Sequence, residues 1–197
     1  MKTILFNPIK KYQENKLLII GIIATLLGSC LAYVFNARFD GIIDIHFVES
    51  INFWQPLLDN LINISLLSIL LFFLGIYINK KTRFIDILNS SLISRIPLCF
   101  VPIFNTGTTI EKINTTLLNT LTTDKIPDLS SIPVSFFIIL TIFSLVSILI
   151  LIWSIALLHN GYKVATNAKE IKHIVLFFMC VIVAEIISKI LITNLPY

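Results

Sequence analysis

Charge is what this chain has least of. Only 13% of its 197 residues are Asp, Glu, Lys or Arg, against roughly 25% in ordinary soluble domains. A soluble fold of this length could not hide the 56% that is hydrophobic, because the fraction a compact domain buries is limited by its size. A bilayer removes that limit. Cysteine is also scarce. Cys30, Cys99 and Cys180 lie in or beside apolar runs without CxxC or metal-ligand spacing, so they read as small apolar fillers. There is no HExxH, GxSxG, P-loop or GxGxxG motif, and no nucleophile or metal set shares a depth. His46, His159 and His173 are far apart and fall on different sides of the expected membrane. No enzyme, cofactor or metal site is expected. Aromatic residues do not interleave with basic ones as in RNA binders, so nucleic acid is not an expected partner.

What the chain does have is long apolar runs. A membrane helix needs about 20 mainly apolar residues. Five stretches qualify, at about 17–35, 62–78, 84–104, 133–158 and 174–193. They are apolar all round, whereas barrel strands alternate, and helices satisfy their own backbone in lipid. The sequence therefore predicts an all-α bundle of five transmembrane helices. A single membrane domain, 17–197, follows a cytoplasmic or interfacial segment, 1–16.

The third run is the least clean, with Asp86, Asn89, Arg95, Pro97 and Pro102. Pro97 should kink or end its helix. Charge patterning argues that this run still crosses. Lys2, Lys10, Lys11 and Lys16 precede the first span. Lys80, Lys81 and Arg83 follow the second, and Lys163, Lys169 and Lys172 flank the loop after the fourth. The intervening loops hold only Arg38, Lys112 and Lys125 against Asp40, Asp44, Glu49, Asp59, Glu111, Asp124 and Asp128. Basic loops stay in the cytoplasm, so the N-terminus is expected inside and the C-terminus outside.

The loop from Asn36 to Asn60 is long and still greasy, with Phe39, Ile42, Ile43, Phe47, Phe53 and Trp54. It reads as an interfacial segment with aromatic anchors. The loop from Asn105 to Ile132 is polar and carries a chance-prone glycosylation pattern at Asn114-Thr115-Thr116. Residues 1–16 read either as a surface segment for anionic lipid or as a short leader that sets orientation. Leu27-Gly28-Ser29-Cys30 resembles a bacterial lipobox, yet apolar residues continue to Phe35, which fits a span better.

Three ionisable residues fall within spans: Arg95, Glu185 and Lys189. Such groups cost about 2.5–3.5 kcal/mol near a bilayer centre and require an account. Arg95 and Glu185 each lie about eleven residues, roughly 16 Å, into helices that run in the same sense. Equal depth makes an Arg95–Glu185 pair geometrically feasible. Lys189 follows Glu185 at i+4 and is near enough to the outer end to snorkel. The three form a candidate intramembrane polar cluster, either a structural ion pair or a pathway. Asp86 reads as a surface group beside Arg83. Asn60, Asn63, Ser65 and Ser68 line one side of the second span and read as helix-bridging groups.

Two stretches carry a family resemblance. One runs from Phe6-Asn7-Pro8 through Glu14-Asn15-Lys16 into the first span. The other is Ile152-Trp153-Ser154-Ile155-Ala156-Leu157-Leu158 with His159-Asn160-Gly161-Tyr162, ending at Ala168-Lys169. With the five-span layout, they resemble the bacterial branch of the Yip1 family of small polytopic membrane proteins. The family's eukaryotic hallmarks are not seen, so its vesicle-trafficking role does not carry over. The resemblance implies a non-enzymatic membrane-organising or interaction protein, whose partners are the bilayer, other membrane proteins or itself. Use of Ile, Asn and Lys over Arg suits an AT-rich bacterium, and the bacterial inner membrane is the expected location. The alternative is a small transporter, or accessory subunit of a transport complex, that works through Arg95 and Glu185. Five spans without an internal repeat do not favour it.

Overall fold

A computed structural model describes residues 5–123 and 132–195. Lys2, Asp124, Lys125 and Asp128 of the charge pattern lie outside the described residues. Among the described residues the regular structure is all helical apart from one pair of two-residue strands. A 3-10 turn at Pro8–Lys10 is followed by α1 (Glu14–Val34), β1 (Ala37–Arg38), β2 (His46–Phe47), α2 (Trp54–Ile78) and α3 (Phe84–Ser94). A 3-10 segment, Pro97–Thr108, then leads into α4 (Thr109–Thr123), α5 (Val134–Thr166) and α6 (Ile171–Asn194). Five helical stretches are long and apolar enough to cross a membrane: α1, α2, Phe84–Thr120, α5 and α6.

Local chemistry sets the boundaries. Asn36 (φ 52°) and Asn167 (φ 55°) stop α1 and α5 in the left-handed region, which Asn tolerates better than most residues. Thr82 Oγ1 donates to the carbonyls of Gly75 (3.0 Å) and Asn79 (2.7 Å) at the end of α2. Pro97 lacks an amide hydrogen and cannot continue the α-helical ladder, and α3 ends at Ser94 with Arg95 as its cap, giving way to the 3-10 segment.

The broken third stretch still reaches from one end of the bundle to the other. Arg83 pairs with Glu14 at the start of α1 (2.7 Å). Asn105 Nδ2 donates to Phe35 O just past the end of α1 (2.9 Å). The stretch between them therefore matches α1 in height. It is the least apolar of the five and the most buried. These facts are linked: α1, α2 and α5 pack around α3, and a span shielded from lipid needs less apolar surface. Asn89, Ser90, Ser91, Ser94 and Arg95 are all buried.

Small residues allow the close packing of α1. A Cβ on Gly21 would lie 2.6 Å from Leu92 Cβ, and one on Gly28 would lie 2.2 Å from Cys99 Sγ. With Thr25, Ser29 and Ala32 they form the buried stripe of α1, the usual solution for helix contact in lipid. The main core cluster joins Leu67 and Leu71 of α2, Ile87 of α3, Leu158 and Tyr162 of α5, and Phe177, Val181 and Ala184 of α6. Ile42 belongs to it as well, although it comes from the first long loop.

Two expectations need revision. Helix α2 begins at Trp54, eight residues before the apolar run, so Asp59 and Asn60 are helical and buried rather than in a loop. The stretch after Asn105 contains a helix, α4, whose Ile110 and Ile113 are buried. In both, polar residues hid a helical face: protein, not lipid, covers it.

Candidate functional site

The loop between α1 and α2 does not lie along the surface. Its neck is pinched by β1 and β2, with Ala37 opposite Phe47 and Arg38 opposite His46. Its tip, residues 39–45, folds back among the helices, where Phe39 and Ile42 are 1% and 2% exposed. The start of α2 carries an aromatic cluster, with Phe53 in edge contact with both Tyr33 and Trp54. Such clusters mark membrane interfaces. Asn63 lies nine residues further along α2, roughly 13 Å deeper. The loop reaches that level, because Asn63 Nδ2 donates to Phe39 O (2.8 Å).

Irregular backbone at this depth needs partners within the protein. Two of the three sequence-predicted charges, Arg95 and Glu185, supply them, while the third, Lys189, pairs with the exposed side chain of Asp44. Arg95 Nη1 donates to Ile42 O (2.7 Å). Ile43 N donates to Glu185 Oε2 (2.9 Å). Lys189 Nζ is bonded to Asp44. Three consecutive loop residues are thus held by three charged side chains, one from the end of α3 and two from α6. Arg95 and Glu185 come near the same stretch of loop, but no ion pair joins them among the described residues. They converge on adjacent peptide groups instead.

A second layer fixes Arg95. Its Nε and Nη2 both donate to Asn60 Oδ1 (3.2 and 2.9 Å). Asn60 Nδ2 donates to Ser29 Oγ (3.0 Å), which donates to Thr25 O (2.9 Å). The guanidinium also lies 5.5 Å from the centre of the Phe39 ring, within cation–π range. Ser188 is bonded to Asn63. At the neck, Arg38 grips Asp59 in a two-pronged pair (2.8 and 3.1 Å), and Asp59 is fully buried. The cavity beside Arg95 holds only about 10 Å³, room for one water at most.

A second polar junction lies at the other end of the bundle. Trp153 Nε1 donates to Leu5 O (2.8 Å) and Asn160 Nδ2 to Phe6 O (2.8 Å). A Cβ on Gly161 would meet Ile9 Cδ1 at 2.4 Å. The N-terminal segment is therefore docked on α5, and the two stretches that carry the family resemblance touch. Arg83 bridges Glu14 and Asp86 there (2.7 and 2.8 Å). The hydrogen bond to Asp86 and the two carboxylate charges push the Arg83 guanidinium above its ordinary value.

Asp86 is at the helix start beside Arg83, as expected. Asn60 and Asn63 bridge helices, as expected: Asn60 joins α2 to Ser29 of α1 and to Arg95, and Asn63 joins α2 to Ser188 of α6 and to the loop at Phe39. The sequence reading missed Arg38–Asp59, Gly41 and the docking of Leu5 and Phe6. Among the described residues no group of His, Cys, Asp or Glu is placed to hold a metal. Comparison with family models, curated proteins and solved structures finds no match to this chain.

Proposed function

We propose that this chain is a non-enzymatic membrane-organising or interaction protein, similar to the Yip1 family, of the bacterial inner membrane. One observation carries the reading. Arg95, Glu185 and Lys189, the residues a transport pathway would use, are each engaged in holding the first loop. The 10 Å³ beside Arg95 offers no continuous aqueous route. The working surface is then the outside of the bundle. Helix α5 supplies much of it: no residue in its most apolar stretch is buried.

Proteoliposomes and mild detergent test the reading together. Vesicles containing the chain are expected to pass protons and small ions no faster than empty ones. In mild detergent the chain is expected to run as a self-complex or with a membrane protein at fixed stoichiometry. A flux that Arg95→Lys abolishes, with the protein still folded, would replace this reading by the transporter alternative.

The proposed orientation puts the basic end, with Lys80 and Lys81, in the cytoplasm. In a variant lacking the native cysteines, Lys80→Cys should resist a membrane-impermeant maleimide in intact cells. Thr116→Cys, on exposed α4, should react. The reverse pattern would invert the topology.

A further inference from the structure

Two cavities meet beneath the N-terminal segment. One, of about 500 Å³, is polar and lined by Tyr12, Gln13, Glu14, Arg83, Asp86 and Asn89 among others. The other, of about 360 Å³, is apolar and lined by Leu5, Ile20, Ile96, Pro97, Trp153 and Leu157 among others. They share Tyr12 and Leu17. Each volume falls in the range of small-molecule sites. The polar cavity lies at the basic end of the bundle. The apolar one lies further along, beside Ile93 at the end of α3 and Ile96 and Pro97 at the break. From Asn89 to Pro97 is roughly 12 Å along the axis. Leu5 and Ile20 are each 48% exposed, so the apolar cavity opens toward the hydrocarbon. This is the shape of an amphiphile: a head at the interface and a chain toward the midplane.

The lining identifies the head. Among the lining residues Glu14 and Asp86 face one cation, Arg83, which leaves one net negative charge, and Lys11 lies nearby over the ring of Tyr12 (5.6 Å). Asn89 is 1% exposed. Its Nδ2 donates to Glu14 O (3.1 Å), which fixes the amide orientation. Its Oδ1 then has no hydrogen-bond partner among the described residues, although a buried acceptor without one is costly. The cavity asks for a cation that donates hydrogen bonds. An anionic head would meet two carboxylates, and a quaternary ammonium has no N–H to offer Asn89.

We propose that the paired cavities bind a phospholipid with a primary ammonium head. The ammonium is held by Glu14, Asp86 and Asn89 Oδ1, and one acyl chain lies under the N-terminal segment against Trp153 and Pro97. Arg83, at the cavity mouth, takes the adjoining phosphate.

The test uses the full chain in mild detergent with equal amounts of phosphatidylethanolamine, phosphatidylcholine and phosphatidylglycerol of identical chains. Native mass spectrometry counts the lipid retained. Phosphatidylethanolamine should exceed phosphatidylcholine by about tenfold, the scale of one charge-assisted hydrogen bond. Glu14→Gln should reduce that preference, and Glu14→Gln with Asn89→Leu should erase it. Ile20→Trp, at a half-exposed position that fills the apolar cavity, should reduce retention of all three lipids. Equal retention of the three, no retention, or a preference for phosphatidylglycerol overturns the proposal. The last outcome would assign lipid binding to the N-terminal lysines.

Discussion

Arg95→Met is expected to destabilise the folded chain by about 2–5 kcal/mol, because two buried acceptors, each costing about 1–3 kcal/mol, lose their donors. They are Asn60 Oδ1 and Ile42 O. Removing the guanidinium also relieves its own desolvation, which keeps the loss below that of a bare buried charge. For a chain of this size the melting temperature in detergent should fall by about 10 °C. Arg95→Lys should recover only part, since a single ammonium cannot reproduce the fork that reaches both acceptors. Adding Glu185→Leu separates two arrangements. If Arg95 and Glu185 formed an ion pair, the double variant would be more stable than Arg95→Met. With each holding its own peptide group, it should be no more stable than the worse single variant. Recovery in the double variant would overturn the clamp.

Gly41→Ala is expected to cost about 1–3 kcal/mol, from the hydrogen bond that the Glu185 carboxylate gives up when it moves aside. A Cβ at Gly41 would lie 2.1 Å from Glu185 Oε1 and 2.6 Å from Cδ. The carboxylate would have to leave the site where it accepts from Ile43 N. Shortening the acid should help: Gly41→Ala with Glu185→Asp should melt higher than Gly41→Ala alone. A Gly41→Ala chain that melts like the unmodified one would show that this close approach is not needed.

The spans were legible because a bilayer leaves few alternatives to long apolar helices. The break at Pro97 was legible too, since proline acts on its own helix. The re-entrant loop was not, and Arg95 shows why. Its offset from the start of its span gave its depth, and Glu185 has the same offset. Depth fixes one coordinate of a side chain in a bundle and leaves its direction around the helix open. The direction depends on how α3 and α6 are rotated, which no local pattern states. The same holds for Asp59. It stood in a polar segment and read as a loop acid, because its partner, Arg38, lies 21 residues away. Gly41 gave no signal, because its requirement comes from a carboxylate 144 positions later.

The bond from Ile43 to Glu185 joins residues 142 apart in sequence, and this sets an order of events during synthesis. The first loop leaves the ribosome early, while α6 emerges only after α1–α5. Until α6 inserts, the Ile43 amide and the Asp44 carboxylate have no α6 to meet. The contacts from Glu185 and Lys189 therefore form last, after those from Arg95 and Asn63 have become available. A chain stalled before α6 lacks two of the loop's charged partners, those of Ile43 and Asp44.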